Sequence, residues 1–155
     1  FWFASHQVTS EKLDGLVKEH VLPGQPRPAL LPNTMNGMFK GFIDLVFVQD
    51  GRYYLADYKS NWLGNNAAAY TAQAMDECVL KHRYDLQYAL YSLALHRLLR
   101  SRLPDYNYDE HVGGVAYLFL RGIEGPQQGL HFVKPPLALI EQLDAAFAAA
   151  AGEVA

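Results

Sequence analysis

Two consecutive runs of apolar, β-prone residues lie near the middle of the chain, at positions 39–48 and 52–59. Gln49, Asp50 and Gly51 join them. An Asp-Gly pair between two such runs is a strong hairpin signal, because a type I′ turn needs positive φ angles at both central residues. The pattern therefore predicts an antiparallel hairpin over 39–59. Both of its faces are apolar, which is typical of central strands that are covered on both sides.

The register of this hairpin brings two acids together. With Asp50 and Gly51 as the two turn residues, Asp44 lies directly opposite Asp57. Opposed residues on one face have Cβ atoms about 4.5–5.5 Å apart, and like charges there destabilise a sheet. The period of two puts Lys59 on the face of Asp57, but one lysine cannot neutralise two buried acids. Because converging carboxylates suit a hard divalent ion such as Mg²⁺ or Mn²⁺, the register favours a metal-assisted hydrolase.

Two structural interpretations of these acids remain open beside the metal site. Asp44 could form a buried salt bridge with Lys59, or Asp57 could end its strand and accept hydrogen bonds from the following loop. The metal interpretation depends on a turn of two residues, because one more residue would change the register.

The rest of the chain alternates between helical and strand-like patterns. Segments rich in Pro, Gly and Asn separate them and predict loops. In chain order the patterns predict a strand at 1–8, a short helix at 10–20, an irregular connector at 23–32, a loop at 60–66, helix at 67–102 with a break near His82, a strand at 112–120, a turn region at 122–129 and a helix at 136–150. This order predicts one α/β domain over 1–155, with an α+β mixed sheet flanked by helices.

The long helical segment carries a second group of polar residues. Gln87 and Tyr91 are four residues apart and share one helix face, with Tyr84 and Tyr88 beside them. An amide and a hydroxyl on a rigid helix can grip a phosphate or a base edge, and aromatic rings can stack on bases. A tyrosine stripe at helical spacing is also typical of a buried core, so spacing alone leaves both interpretations open.

Composition narrows the classes of function. The net charge is −3 over 155 residues, so a nucleic acid would have to bind a local patch rather than a global positive field. Cys78 is the single cysteine, which excludes an intrachain disulfide and fits a reducing cytoplasm. No apolar run has the length of a membrane span. The six histidines lack the spacing of zinc ligands, and no glycine-rich loop of the kind that binds the phosphates of ATP is present. The start on Phe1 without an initiator methionine indicates a fragment of a longer polypeptide.

Four segments together resemble the PD-(D/E)xK nuclease superfamily. They are Gly-Phe-Ile-Asp-Leu-Val-Phe at 41–47, Tyr-Leu-Ala-Asp-Tyr-Lys-Ser-Asn at 54–61, Tyr-Asp-Leu-Gln-Tyr-Ala-Leu-Tyr at 84–91 and Gly-Gly-Val-Ala-Tyr-Leu-Phe-Leu-Arg-Gly at 113–122. Within the superfamily, the match is closest to the family of C-terminal nuclease domains of bacterial RecB, the β subunit of exodeoxyribonuclease V. The resemblance implies a restriction-endonuclease-like core.

The resemblance also implies roles for individual residues. Asp44, Asp57 and the main-chain carbonyl of Tyr58 would bind Mg²⁺, and Mn²⁺ or Ca²⁺ would be able to replace it in binding. Lys59 would orient or activate the attacking water and stabilise charge on the phosphate. Gln87 and Tyr91 match the family's Gln-x-x-x-Tyr motif. They would form an active-site wall and complete a catalytic set with Asp57 and Lys59.

The implied function is Mg²⁺-dependent hydrolysis of DNA by the nuclease domain of a cytoplasmic RecBCD helicase-nuclease, in double-strand break repair and recombination. DNA, the RecC and RecD subunits and the RecA recombinase are the implied partners, with no membrane. The family's upstream metal-binding histidine has no match in 1–39, and neither His6 nor His20 replaces it. We therefore expect a truncated domain with weak Mg²⁺ affinity and little or no activity on its own. The alternatives are a non-catalytic domain that binds DNA or a recombinase, and a structural domain with a buried ion pair.

Overall fold

The computed structural model describes residues 2–4, 8–30, 34–35, 38–125 and 128–152. Eight strands occur in these ranges: β1 (Trp2–Ala4), β2 (Val8–Thr9), β3 (Thr34–Met35), β4 (Met38–Lys40), β5 (Leu45–Gln49), β6 (Arg52–Lys59), β7 (Val112–Phe119) and β8 (Leu130–Val133). The last four form one sheet in the order β5-β6-β7-β8, in which only β6 and β7 are parallel. The others form two antiparallel pairs, β1 with β4 and β2 with β3.

Five helices flank the strands in the described part of the chain: α1 (Ser10–His20), α2 (Ala72–Lys81), α3 (Tyr84–Arg102), α4 (Tyr108–His111) and α5 (Leu137–Gly152). Thr9 and Thr71 cap the first two, because each side-chain oxygen accepts a backbone N–H of the first turn. Arg83 has a left-handed backbone with φ of 56°, which ends α2 and confirms the predicted break near His82. The predicted mixed sheet flanked by helices is confirmed.

The hairpin turn is as predicted. Asp50 and Gly51 have φ angles of 50° and 76°, and the ladder pairs Gln49 with Arg52 and Leu45 with Ala56. The predicted first strand is wrong at its outer end, however. Residues 38–40 pair with β1, and residues 41–44 lie outside any strand before β5 begins.

The prediction that both hairpin strands are covered on both sides is wrong for β5. This strand lies at the edge of the sheet, and Leu45, Val46 and Val48 are exposed. Of the two hairpin strands, β6 alone is central, because it pairs with β5 on one side and with β7 on the other. The pattern of apolar residues could not distinguish an edge strand from a central one, since apolar side chains also occur on exposed surfaces.

One face of the main sheet packs against the helices and carries the polar side chains of interest. Leu55, Asp57 and Lys59 of β6 point to this face and are buried, as are Tyr117 and Phe119 of β7. The opposite face is apolar and partly open: Phe47 stacks on Tyr54 with ring centroids 5.1 Å apart, and Phe132 is 52% exposed. Asp57 and Lys59 thus lie between the sheet and the helices.

A network of ion pairs fixes the start of α3. Arg27 Nη1 lies 2.7 Å from Asp85 Oδ2, and both side chains are buried. Arg83 lies 2.6 Å from Asp14 of α1 and 3.1 Å from Asp85. The other guanidinium nitrogen of Arg27 donates to the carbonyls of Val21 and Leu22. The connector after α1 is therefore fastened to the first turn of the helix that carries Gln87.

Three predictions fall partly outside the described residues. They are the strand at 1–8, of which 2–4 and 8 are described; the connector, of which 31–32 are not; and the turn region, of which 126–127 are not. The strand β8 was not predicted at all. In the described part of the chain, no helix combines the length and apolar character that crossing a membrane requires.

Candidate active site

Asp57 and Lys59 form a buried ion pair on β6. Lys59 Nζ lies 2.5 Å from Asp57 Oδ2, and the side chains of Lys59 and Asp57 are 6% and 9% exposed. The two residues are two positions apart on one strand, so their side chains leave the same face. The salt bridge considered between Asp44 and Lys59 is therefore not the pair that the structure shows, because Lys59 pairs with Asp57.

Asp44 lies at the rim of this site. The β5–β6 ladder ends at Leu45 and Ala56, one position before Asp44 would pair with Asp57. Instead, the Asp44 carboxylate accepts a hydrogen bond of 3.1 Å from the backbone N–H of Tyr58. Asp44 is exposed whereas Asp57 is buried. The two acids thus flank the end of β6, one from solvent and one from the interior.

Gln87 connects the sheet to α3. Its side-chain oxygen accepts a hydrogen bond of 2.7 Å from Lys59 Nζ, and its amide nitrogen donates one of 2.9 Å to the Tyr91 hydroxyl. Gln87 and Tyr91 meet because they lie one helical turn apart. Sequence spacing alone did not decide between a core and a site for these two side chains, and the structure brings both to Lys59 and Asp57.

Tyr84 and Tyr117 form aromatic walls around the lysine. Lys59 Nζ lies 3.7 Å from the ring centroid of Tyr84 and 4.3 Å from that of Tyr117, within the range of a cation–π interaction. The Tyr117 hydroxyl lies 2.9 Å from Gln87 Oε1 and 3.1 Å from the Tyr84 carbonyl oxygen, and its one hydrogen can serve either acceptor. The walls and Gln87 together hold the ammonium group in one place.

Sequence reasoning did not assign Tyr117 to the site. The residue pairs with Asp57 across the parallel β6–β7 ladder, and this register depends on a crossover of more than fifty residues that no local pattern reveals. The available signal was the alternation in β7, which puts Tyr117 in phase with Val115 and Phe119 on one face of that strand.

Tyr91 and Tyr117 keep their protons over a wide pH range. Burial raises the pKa of Tyr91 above its usual value of 10.0; the hydrogen bond from Gln87 lowers this pKa, and the weaker effects of the Asp57 and Asp44 charges raise it. Burial also raises the pKa of Tyr117, with a smaller contribution from Asp57. The two hydroxyl groups therefore remain hydrogen-bonding groups rather than phenolates at neutral pH.

The donor chemistry of the site fits Mg²⁺. Within the described ranges, no three His, Cys, Asp or Glu side chains come together in a way that could hold a metal ion. Mg²⁺ nevertheless binds typically through one or two carboxylates, keeps several water molecules and uses substrate phosphate oxygens for the remaining positions. Asp44 and Asp57 are hard oxygen donors at the end of one strand, which matches this minimal protein contribution.

Comparisons with known proteins identify the family to which the whole chain is similar. The profile of the PD-(D/E)XK nuclease superfamily matches residues 4–155. Three similar proteins are each described as "RecBCD enzyme subunit RecB". The Escherichia coli K12 protein is 52% identical to this chain over 93% of the chain's length, the Haemophilus influenzae Rd protein 47% identical over 85%, and the Mycobacterium tuberculosis H37Rv protein 41% identical over 70%. The matched parts are 12%, 11% and 11% of those proteins, so the chain spans about an eighth of their length.

Proposed function

The chain belongs to the PD-(D/E)XK nuclease superfamily, and from this premise we propose that it is a single metal-dependent nuclease domain that hydrolyses DNA phosphodiester bonds. The observation that carries the proposal is the connected set of Asp57, Lys59, Gln87 and Tyr91. Each contacts the next at 2.5–2.9 Å, and the set joins a strand to a helix. A fold needs no such chain of polar contacts, whereas phosphoryl transfer needs charge and donors held in place.

Asp44, Asp57 and the main-chain carbonyl of Tyr58 are the proposed Mg²⁺ ligands, with Mn²⁺ or Ca²⁺ able to bind in place of Mg²⁺. When bound, the ion would polarise the scissile phosphate and lower the pKa of a coordinated water. Asp57 contributes a fixed carboxylate, because its pairing with Lys59 holds one oxygen. Asp44 is held through the Tyr58 N–H, which keeps its carboxylate beside that backbone segment.

Lys59 is the proposed electrostatic catalyst. A lysine ammonium group has three N–H donors, and Asp57 and Gln87 engage two of them. The third donor and the positive charge can therefore act on a phosphate oxygen, whose negative charge increases in the transition state. The two aromatic walls hold the ammonium group without adding competing negative charge, because they attract it through their ring faces. Gln87 and Tyr91 form the wall opposite β6.

The wider role is proposed from the similarity to RecB. We propose that the domain acts in the cytoplasm within a helicase-nuclease of the RecBCD type, with DNA as substrate, RecC and RecD as companion subunits and RecA as a contact, in double-strand break repair and recombination. The support is 52% identity over 93% of this chain to a protein whose name describes it as a subunit of such an enzyme.

A structural role for the ion pair is the competing interpretation, and the buried contact between Asp57 and Lys59 is the observation that favours it. Buried pairs of this kind contribute little net stability compared with apolar residues of similar size. A purely structural pair would also not need Asp44 on the adjacent segment. The two interpretations differ in what happens to DNA when the charge on Asp57 is removed.

The test is cleavage of linear DNA in the presence of Mg²⁺, comparing the wild-type chain with Asp57→Asn and Asp57→Ala, each measured alone and in a chimera in which the chain replaces the matched segment of a RecB relative. We expect both substitutions to abolish cleavage while the far-UV circular dichroism spectrum stays unchanged. Asp105→Asn is the matched control, because Asp105 is an exposed acid in the loop after α3. Cleavage by the Asp57 variants at the rate of the control would refute the assignment.

A further inference from the structure

A cleft of about 420 Å³ opens next to the candidate active site. Tyr84 forms the partition between them: its ring covers Lys59 on one side, and its other contacts lead to the cleft. His82 stacks on Tyr84 with ring centroids 5.4 Å apart and an interplanar angle of 21°, and the Tyr84 hydroxyl lies 3.3 Å from Asn61 Oδ1. Both His82 and Asn61 line the cleft. The cleft lining is therefore connected to Lys59 through Tyr84, which contacts two residues of that lining.

Trp62 presents its indole ring to solvent at this cleft. Its side chain is 64% exposed, although Trp62 lies only three residues after the buried end of β6. The exposed ring leaves a large apolar face in water at the edge of the cleft. A planar ligand in the cleft could stack on this face and cover it.

The loop that carries Trp62 is fastened on both sides of it. The Leu63 N–H donates to the Tyr70 hydroxyl at 3.3 Å, and that hydroxyl donates to the Asn61 carbonyl at 3.1 Å. Arg121 Nε donates to the Ser60 carbonyl at 3.1 Å. These bonds fix the backbone before and after Trp62, so the ring is presented at the cleft by anchored neighbours.

The remaining lining combines an apolar floor with a mixed polar rim. Leu63, Ala74 and the buried Cys78 supply the floor, and Lys81 and Glu77 supply one charge of each sign at the rim. The Glu77 carboxylate already accepts a hydrogen bond of 2.9 Å from Gln73. A flat apolar ligand with an attached anion matches this lining, since the floor and Trp62 suit its faces and Lys81 suits its charge. The volume lies within the roughly 300–1,000 Å³ typical of ligand sites.

We propose that this cleft binds an unpaired nucleobase of single-stranded DNA, stacked on Trp62, with the adjoining backbone phosphate near Lys81. The inference rests on the proposed function, because it makes the cleft the neighbouring subsite of a strand whose scissile phosphate lies at Lys59. The base must be unpaired, since both faces of a base in a duplex are covered by its neighbours in the stack. Stacking accepts any base, so the subsite selects strandedness rather than sequence.

Tryptophan fluorescence tests the stacking directly. The chain contains two tryptophans, Trp2 and Trp62, so Trp2→Phe leaves Trp62 as the only reporter. We expect a short oligothymidylate, added without divalent metal, to quench this fluorescence in a saturable manner. An abasic oligomer with the same number of phosphates should not quench. Absence of quenching by oligothymidylate, or equal quenching by the abasic oligomer, would overturn the proposal.

Binding measured by fluorescence anisotropy of a labelled oligothymidylate gives the second test. Trp62→Ala should weaken binding by about five- to a hundredfold, the loss that corresponds to one base–aromatic stack, and Trp62→Phe should restore most of it. Phe132→Ala is the matched control, because Phe132 is an exposed aromatic residue on the opposite face of the sheet. An unchanged affinity for Trp62→Ala would contradict the inference.

The experiments give different results if the proposal about the cleft is wrong and if the nuclease assignment is wrong. If the wild-type chain, or the chimera in which it replaces the matched segment of a RecB relative, cleaves single-stranded DNA and Trp62→Ala does so with the same KM, the cleft proposal is wrong and the nuclease assignment stands. If Trp62 is quenched by oligothymidylate but no divalent metal supports cleavage by the chain or by the chimera, the nuclease assignment fails while the cleft remains a single-strand binding site. If both are correct, Trp62→Ala raises KM for single-stranded DNA far more than it lowers kcat.

Discussion

Replacement of Lys59 by methionine is the perturbation that most directly probes the candidate site. Methionine keeps an unbranched side chain of similar length, so it can still pack between the Tyr84 and Tyr117 rings, although the cation–π attraction of the ammonium group is lost. What disappears is the ammonium group, which lies 2.5 Å from Asp57 and 2.7 Å from Gln87. The carboxylate of Asp57 then remains in a buried position without its counter-charge.

The expected cost follows from burial. Both side chains of the pair are less than one-tenth exposed, and breaking a buried pair by removing one partner typically costs about 3–5 kcal/mol. For a chain of this length, such a loss lowers Tm by on the order of 10 °C. It is also a large share of a total stability of roughly 5–15 kcal/mol. Removing both charges with Asp57→Asn and Lys59→Met together should recover at least half of the loss, because no unpaired ion is left.

Urea denaturation followed by far-UV circular dichroism measures these differences. The matched control is Lys12→Met, which removes an exposed lysine from α1 and should change the free energy of unfolding by less than about 0.5 kcal/mol. Added Mg²⁺ should stabilise Lys59→Met more than the wild type, because a cation bound at Asp57 replaces the missing charge. A Lys59→Met variant as stable as the control would refute the reasoning about the pair. Equal effects of Mg²⁺ on both proteins would refute Asp57 as a ligand.

Three further predictions concern other groups. Tyr117→Phe removes one hydroxyl contact to Gln87, so kcat for DNA cleavage should fall about ten- to a hundredfold while KM is unchanged. The free energy of unfolding should decrease by no more than about 1.5 kcal/mol. An unchanged kcat would contradict this prediction. Titration of the chain with Mg²⁺ by calorimetry should show millimolar affinity that Asp44→Asn weakens further, and tight stoichiometric binding would be inconsistent with so few ligands. Burial lowers the pKa of His131 below 6.5, although Asp76 raises it. Because the unfolded chain then binds more protons, the free energy of unfolding should decrease as the pH falls through 6.5, and His131→Gln should reduce that decrease in urea denaturation series.

The local parts of the site were predictable because they depend on short-range rules. The Asp50-Gly51 turn has few alternatives for its backbone, and that turn fixes the register of the whole hairpin. The strand period then placed Lys59 on the face of Asp57, and helical spacing placed Gln87 next to Tyr91. The local rules could not predict that the Asp57–Lys59 pair and the Gln87–Tyr91 pair lie next to each other, because no short turn connects β6 to α3.

The parts that were missed depend on long-range pairing. The parallel β6–β7 ladder joins residues more than fifty positions apart and determines that Tyr117 lies beside Asp57. The edge position of β5 and the existence of β8 follow from the same sheet order. Apolar composition identifies strand-forming segments, but the neighbours of each strand are selected by packing over the whole domain. This explains why the turn was predicted correctly while the coverage of β5 was wrong.

The composition of the buried site argues for a function that stability alone would not require. A lysine and an aspartate at the buried end of β6 could be replaced by apolar residues with little loss or with a gain in stability, because desolvation offsets most of the attraction between buried charges. The fold instead surrounds the pair with further polar groups, since Gln87 contacts the ammonium group and Tyr117 contacts Gln87. Asp44 adds a second carboxylate on the segment that leads to the same strand end. Asp57, Gln87 and the Tyr117 ring restrict where the Lys59 charge can lie. A fixed positive charge beside a buried carboxylate, with a second carboxylate near the same strand end, is what a metal-dependent phosphodiesterase would use.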